Sequence, residues 1–183
     1  TKEQEKALQM IHAEMAEKEK RPVLLHGVTG SGKTEIYMQV IAEVLAKGQQ
    51  AIVLVPEIAL TPQILERFIS RFGEKVTVTH SRLSMGERVD QWKKARSGEI
   101  SVIIGPRSAL FMPFQNVGAI IMDEAHENSY VSDITPKYDT KDVAAAAAEI
   151  YDCLFLMGTA TPDLVSYHRA KEGKYLLLEL KER

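Results

Sequence analysis

Short apolar runs alternate along the chain with longer segments in which apolar residues recur every three or four positions. Six runs have the length and content of buried parallel strands: 22–26, 51–55, 76–79, 101–104, 119–122 and 154–157. A helical repeat follows the first run at Ile36, Tyr37, Val40, Ile41, Val44 and Leu45. Another follows the second run, where we expect Ile64, Leu65, Phe68, Ile69 and Phe72 to share one helix face.

Capping residues mark where several helices begin. Ser84 and Glu87 fit a capping box, while Thr61 and Thr161 each precede a proline at the expected first helical position. The alanines at 144–148 favour a helix, whereas 127–140 is the least regular stretch. The alternation predicts an α/β fold with a mainly parallel sheet, helices on both faces and right-handed crossovers. Ligands of such a sheet bind beyond the carboxyl ends of its strands.

Composition narrows the class of protein. The 183 residues, 45% of them hydrophobic, suffice for one packed domain. A net charge of −2 argues against a general polyanion-binding surface, so nucleic acid would have to be held locally. Cys153 is the only cysteine, which excludes an internal disulfide and a cysteine-based zinc site in this segment and fits a reducing compartment.

The ends and the hydropathy of the chain indicate where the protein acts. No apolar stretch approaches membrane-spanning length, and the segment 1–4 does not resemble a signal peptide. We therefore expect a cytoplasmic protein with no membrane partner. Because the chain starts at Thr1 and not at a methionine, we expect residues 1–183 to be one domain of a longer protein.

A phosphate loop joins the first predicted strand to the following helix. Its pattern is G-x-x-x-x-G-K-[ST], and it comprises Gly27, Val28, Thr29, Gly30, Ser31, Gly32, Lys33 and Thr34. The glycines let backbone N–H groups turn toward a polyphosphate at the positive end of a helix. Lys33 would contact the terminal phosphates of ATP, and the Thr34 hydroxyl would bind Mg²⁺.

Two adjacent carboxylates follow the strand at 119–122. Asp123 is expected to be the second protein group on Mg²⁺, and Glu124 to orient or deprotonate the attacking water. These two residues and Lys33 are the predicted catalytic groups. His126 has two interpretations, a structural hydrogen bond or a relay to a neighbouring motif.

With the phosphate loop and the segment 158–162, the sequence Asp-Glu-Ala-His at 123–126 resembles the superfamily 2 helicases. The stretches 56–63, 80–92 and 107–111 narrow the resemblance to the first RecA-like lobe of the PriA family of bacterial replication-restart helicases. The resemblance implies an ATP-dependent DNA helicase, acting at forked or single-stranded DNA. Its implied partners are a second lobe of the same chain and single-strand-binding and primosome proteins.

The resemblance also assigns DNA contacts. Segments 56–63 and 105–111 would touch the DNA backbone, through Glu57, Thr61, Gln63, Arg107 and Ser108. In the loop after the paired carboxylates, Tyr130 and Tyr138 would either stack on bases or pack on the domain. Lys137 and Lys141 would add phosphate contacts. Gln4 would either read adenine or complete a capping box with Thr1.

Two other classes of function stay open at this point. Another superfamily 2 motor, such as a RecG-like fork remodeller, would use the same ATP residues, and a phosphate-loop kinase or nucleotide-gated module would use the same loop. No arginine-rich kinase lid is evident in the sequence. An arginine finger from a second lobe contributes ~10³- to 10⁵-fold in rate, so we expect a single lobe to bind nucleotide and hydrolyse it feebly.

Overall fold

Seven parallel strands form one sheet in the computed structural model, which describes residues 1–181. The strands are β1 (Val23–Gly27), β2 (Gln50–Leu54), β3 (Val76–Val78), β4 (Val102–Gly105), β5 (Val117–Met122), β8 (Leu154–Thr159) and β9 (Leu176–Leu180). Two short strands, β6 (Val131–Ser132) and β7 (Tyr138–Asp139), pair as an antiparallel hairpin. All six predicted strands are confirmed, whereas β9 was not predicted.

Within residues 1–181, six α-helices cover the two faces of the sheet. They are α1 (Lys2–Ala16), α2 (Lys33–Ala46), α3 (Pro62–Phe72), α4 (Met85–Ser97), α5 (Thr140–Tyr151) and α6 (Leu164–Lys171). Residues of α1, α2 and α3 pack in one apolar core, and residues of α4, α5 and α6 pack in a second core on the opposite face. The predicted α/β class with helices on both faces is therefore confirmed.

Local signals placed most helix starts correctly. Ser84 and Glu87 form the predicted capping box of α4, and Thr61 caps α3 with Pro62 at its first position. The start at Thr161 was wrong, because the Asp163 side chain accepts a hydrogen bond from the Ser166 backbone N–H at 2.9 Å and caps α6 instead. The expected apolar face of α3 also holds only in part, since Ile69 is 50% exposed.

The strand order separates two regions at the carboxyl edge of the sheet. The order is β3, β4, β2, β5, β8, β1, β9. Strands β5, β8 and β1 are neighbours, so the loops that follow them meet. Strands β3, β4 and β2 are also neighbours and gather a second set of loops, and the two sets meet where β2 pairs with β5. Within residues 1–181, no helix has the length and apolarity that crossing a membrane requires.

Candidate functional site

The phosphate loop has the backbone geometry that its glycines predict. Gly30 and Gly32 have φ angles of +85° and +83°, a region that L side chains rarely adopt. A Cβ at Gly32 would also overlap the amide of Gln4. The Lys33 side chain is buried inside the loop, where its Nζ donates to the Gly27 carbonyl oxygen at 2.7 Å. The phosphate loop thus curls around the ammonium group of Lys33.

The loop fits an anionic ligand. The Ser31 Oγ is buried and has no hydrogen-bond partner within the described part of the chain, which is unusual for a buried hydroxyl. A cleft of about 730 Å³ opens beside it and is lined by Thr29, Gly30, Gly32, Lys33, Thr34, Asp123 and Glu124, among others. The predicted phosphate and Mg²⁺ groups are therefore brought together in one cleft.

Asp123 is held by two tyrosines. The Tyr37 hydroxyl donates to Asp123 Oδ1 at 2.9 Å, and the Tyr130 hydroxyl donates to the Asp123 carbonyl oxygen at 2.7 Å. Burial raises the pKa of Asp123, whereas the hydrogen bond from Tyr37 opposes that rise. The sequence had placed Tyr37 only on an apolar helix face. A Cβ at Gly158 would overlap the Tyr37 hydroxyl, which explains a glycine there.

Glu124 stands beside Asp123 in a strained backbone conformation. Its φ is +46°, a value uncommon for a residue with a side chain and often found at functional sites. Burial raises the pKa of Glu124, and the neighbouring Asp123 carboxylate raises it further. The side chain is about one-third exposed and faces the cleft. A carboxylate with this access and a raised pKa has the properties of a general base.

His126 connects the paired carboxylates to the loop after β8. Its Nδ1 lies 2.9 Å from Thr159 Oγ1, and that same hydroxyl oxygen accepts the Thr161 backbone N–H at 3.1 Å. The Ala125 N–H also donates to the Gly158 carbonyl oxygen at 3.0 Å. The predicted hydrogen bond of His126 is therefore confirmed, and it reaches a neighbouring motif. Whether it acts as a relay stays a prediction.

Gln4 forms the capping box that was one of its two predicted roles. Thr1 Oγ1 accepts the Gln4 backbone N–H, and Gln4 Oε1 accepts from the Thr1 amino group at 2.7 Å. The other end of the amide also donates to the Ser31 carbonyl oxygen at 3.0 Å. Gln4 is thereby tied directly to the phosphate loop, and adenine recognition stays a prediction.

Several of the predicted DNA contacts line a second cavity of about 600 Å³ at the ends of β2, β3 and β4. Arg107 and Ser108 line it, with Ser108 exposed, while Thr61 and the exposed Gln63 lie at the start of α3. Glu57 also lines the cavity, but its carboxylate accepts hydrogen bonds from the Ser81 hydroxyl and N–H. A carboxylate repels phosphate, and this one is already bonded to Ser81. Glu57 therefore holds Ser81 in place and does not contact the DNA backbone as predicted.

The loop after β5 decides two of its predicted contacts and leaves that of Tyr138 a prediction. Tyr130 is only 1% exposed, so its ring offers no face to a base and the stacking prediction is wrong for it. Tyr138 is half-buried and makes an edge-on contact with Phe111 at 5.7 Å between ring centroids. Lys141 is paired with Asp163 at 2.8 Å and is not a free phosphate contact. Arg107 donates to the Ser129 and Val131 carbonyl oxygens and holds this loop in place.

The nucleotide cleft also contains groups that sequence reasoning missed. Arg67 and Arg71 of α3 line it, and Arg71 pairs with Glu35 of α2 at 3.2 Å. They recur four residues apart on the polar side of a predicted helix, a pattern that signals only a solvated face. Their role depends on α3 packing beside α2, which no local pattern specifies.

Comparison with known proteins agrees with this geometry. Residues 1–169 match the family model described as DEAD/DEAH box helicase. The chain is 53% identical to the Replication restart protein PriA of Bacillus subtilis (strain 168), and the match covers 100% of this chain and 23% of that protein. The protein of that name from Synechocystis sp. is 49% identical over 88% of this chain and 20% of its own length. The chain thus spans about a fifth to a quarter of these curated relatives.

Solved structures of helicases share the fold. A structure described as RecG bound to a three-way DNA junction superposes with a TM-score of 0.73 at 23% identity, over 100% of this chain and 24% of that one. The Hef helicase domain of Pyrococcus furiosus superposes with a TM-score of 0.68 at 23% identity, over 97% of this chain and 37% of that one. At such identities the likeness establishes the fold alone. The RecA-like fold prediction is confirmed.

Proposed function

The chain belongs to the DEAD/DEAH box helicase family, and we propose that it forms the first RecA-like, ATP-binding lobe of a DNA helicase of the PriA type. The observation that carries this proposal is the convergence of Lys33, Thr34, Asp123 and Glu124 on one cleft. The 53% identity to a replication restart protein supports replication restart as the process, with the cytoplasm as its place. The sequence identity to RecG is 23%, less than half of that to the replication restart protein, and it does not favour a RecG-like fork remodeller.

In this proposal the chain's own residues divide the work on ATP. Lys33 and the loop N–H groups hold the phosphates, with Ser31 Oγ as a further hydrogen-bonding group. Thr34 and Asp123 are the protein groups positioned to hold Mg²⁺, an ion that neutralises charge on the phosphates during transfer. Tyr37 fixes the Asp123 carboxylate, and Glu124 orients the attacking water and takes its proton.

DNA would bind at the other half of the same sheet edge. Thr61, Gln63, Arg107 and Ser108 are proposed to hold the backbone of one strand without reading its sequence. Tyr138 is the remaining aromatic candidate in the loop after β5. That loop contacts Asp123 through Tyr130 and contacts Arg107 through Ser129, so it lies between the two sites. A second lobe would complete the motor, with single-strand-binding and primosome proteins as further partners.

The test uses a longer protein that carries both lobes. Glu124→Gln should still bind Mg·ATP but hydrolyse it far more slowly, because the amide keeps the shape of the side chain and loses the base. Asp123→Asn should instead weaken Mg²⁺-dependent binding. The measurement is single-stranded-DNA-stimulated phosphate release beside nucleotide binding by calorimetry. Equal rates for the wild type and Glu124→Gln would refute the role of Glu124.

A further inference from the structure

The cavity at the ends of β2, β3 and β4 has one wall that DNA-backbone contacts do not account for. This wall is the side of α4, which contributes Arg88, Gln91 and Trp92. Pro106, Met112 and Tyr130 also line the cavity. The volume of about 600 Å³ lies within the range of ~300 to 1,000 Å³ typical of sites for small molecules. The cavity therefore offers space for a planar group between aromatic and apolar side chains.

Trp92 is an unusually accessible ring. It is 43% exposed, although tryptophan has much apolar area to bury. The Arg96 guanidinium lies 5.3 Å from its centroid, and Arg96 itself does not line the cavity. A cation over the ring restrains its orientation. Trp92 is thus an oriented aromatic surface at the cavity and not part of either apolar core.

The helix that carries Trp92 is anchored by other contacts. Gln91 Nε2 donates to the Val78 carbonyl oxygen at 2.6 Å and to Thr77 Oγ1 at 3.1 Å. Ala95 of the same helix is fully buried in the second apolar core. The capping box at Ser84 fixes the helix start. Because none of these contacts involves Trp92, its side chain can be changed without removing what holds α4.

The charge around the cavity favours a nucleic acid. Arg88 and Arg107 line it, and both guanidinium groups are held by backbone carbonyl oxygens, which leaves their positive charges without a carboxylate partner in those contacts. Glu57 is the one carboxylate among the described lining residues, and it is bonded to Ser81. A phosphate at the rim would meet net positive charge, while a flat apolar group would meet Trp92.

We propose that this cavity holds an unpaired base of single-stranded DNA, stacked on Trp92, while the neighbouring phosphate lies toward Arg107 and Ser108. The inference rests on the proposed function, because it adds a base-stacking position to the proposed backbone contacts. Both faces of a base within a duplex are covered by its neighbours, so the position would favour a single strand. Stacking on an aromatic side chain tolerates any base, in keeping with a motor that does not read sequence.

Trp92 is the single tryptophan of the chain, and its fluorescence reports on this position directly. The experiment titrates the protein with a fluorescein-labelled oligothymidylate and with a labelled abasic oligonucleotide of equal length. Anisotropy measures binding, and intrinsic fluorescence measured with the unlabelled oligonucleotides reports stacking. We expect both to bind, with quenching by the oligothymidylate only. We also expect Trp92→Ala to weaken binding of the oligothymidylate about 5- to 150-fold and that of the abasic strand hardly at all.

Two variants serve as controls. Trp92→Phe keeps a flat ring and should retain most of the affinity, while Tyr167→Ala removes an aromatic ring of α6 that does not line the cavity and should change nothing. Binding of the oligothymidylate without quenching, or equal quenching by the abasic strand, would overturn the base position and leave the backbone contacts intact. If anisotropy detects neither oligonucleotide, the proposed DNA interface fails and this inference with it.

Discussion

The hydroxyl of Tyr37 offers a test of how the Mg²⁺ site is organised. Tyr37 is 1% exposed, and its hydroxyl donates to Asp123 Oδ1 at 2.9 Å. Replacing it in Tyr37→Phe removes a single oxygen and leaves the ring packed as before. The Asp123 oxygen then loses a donor in a place where burial already raises the pKa of this carboxyl.

A hydrogen bond to a charged acceptor contributes about 1.5 to 3 kcal/mol to stability. For a domain of this size, each kcal/mol changes the melting temperature by ~2 to 4 °C, so Tyr37→Phe should lower it by ~3 to 12 °C. The variant should also need more Mg²⁺ to bind ATP, because the carboxylate is no longer held in one orientation. Thermal unfolding followed by circular dichroism and calorimetric titration of nucleotide at several Mg²⁺ concentrations measure both effects.

Tyr151→Phe is the matched control. The Tyr151 hydroxyl lies outside the nucleotide cleft and makes no hydrogen bond within residues 1–181. It should leave the melting temperature and the Mg²⁺ requirement within error of the wild type. The reasoning would be refuted if Tyr37→Phe behaved in the same way as Tyr151→Phe in both assays. A loss of stability with an unchanged Mg²⁺ requirement would limit the Tyr37 hydroxyl to stabilising the fold.

Two further predictions concern the loop after β5 and the start of α6. Tyr138→Ala in the longer protein should reduce DNA stimulation of ATP hydrolysis, while basal turnover stays near that of the wild type. If the ratio of stimulated to basal rate is preserved and thermal stability falls, Tyr138 only packs on Phe111. Burial raises the pKa of Asp163, but hydrogen bonds from Lys141 and Ser166 outweigh it and bring the pKa to about 2. The pKa of an aspartate in the unfolded chain is ~3.9. The contribution of Asp163 to the free energy of unfolding is therefore complete above about pH 3.9 and is lost as the pH falls toward 2. It amounts to no more than about 1 kcal/mol because the side chain is 35% exposed, and acid titration of the melting temperature should lose this component in Asp163→Asn.

The sequence predicted what is local or periodic. Buried parallel strands are continuous apolar runs, and six of them were identified from that property alone. Capping at Ser84 and Thr61 depends on atoms within three residues, so it could be predicted from the sequence. The start of α6 was misplaced because two capping residues, Thr161 and Asp163, compete there. Asp163 caps the helix, and it also accepts a hydrogen bond from Lys141, which is 22 residues distant in the chain.

The candidate site was predicted as far as its motifs reach. The phosphate loop and the paired carboxylates carry their chemistry in adjacent residues, and the order of β1, β8 and β5 brings them together. Tyr37, Arg67 and Arg71 could not be found in this way, because only the packing of α2 and α3 brings Tyr37 to Asp123 and the two arginines to the cleft. For the same reason the sequence could not decide between stacking and packing for Tyr130. An aromatic residue in an irregular loop resembles a surface residue until the contact with Asp123 is known.

The central claim is that the cleft beside Lys33 binds Mg·ATP, and calorimetric titration of the chain with Mg·ATP tests it most directly. The wild type should bind, and Lys33→Ala should lose binding while its thermal unfolding stays cooperative, because Lys33 supplies charge to phosphates and little to either apolar core. Unchanged affinity in a folded Lys33→Ala variant, or no binding by the wild type, would contradict the account.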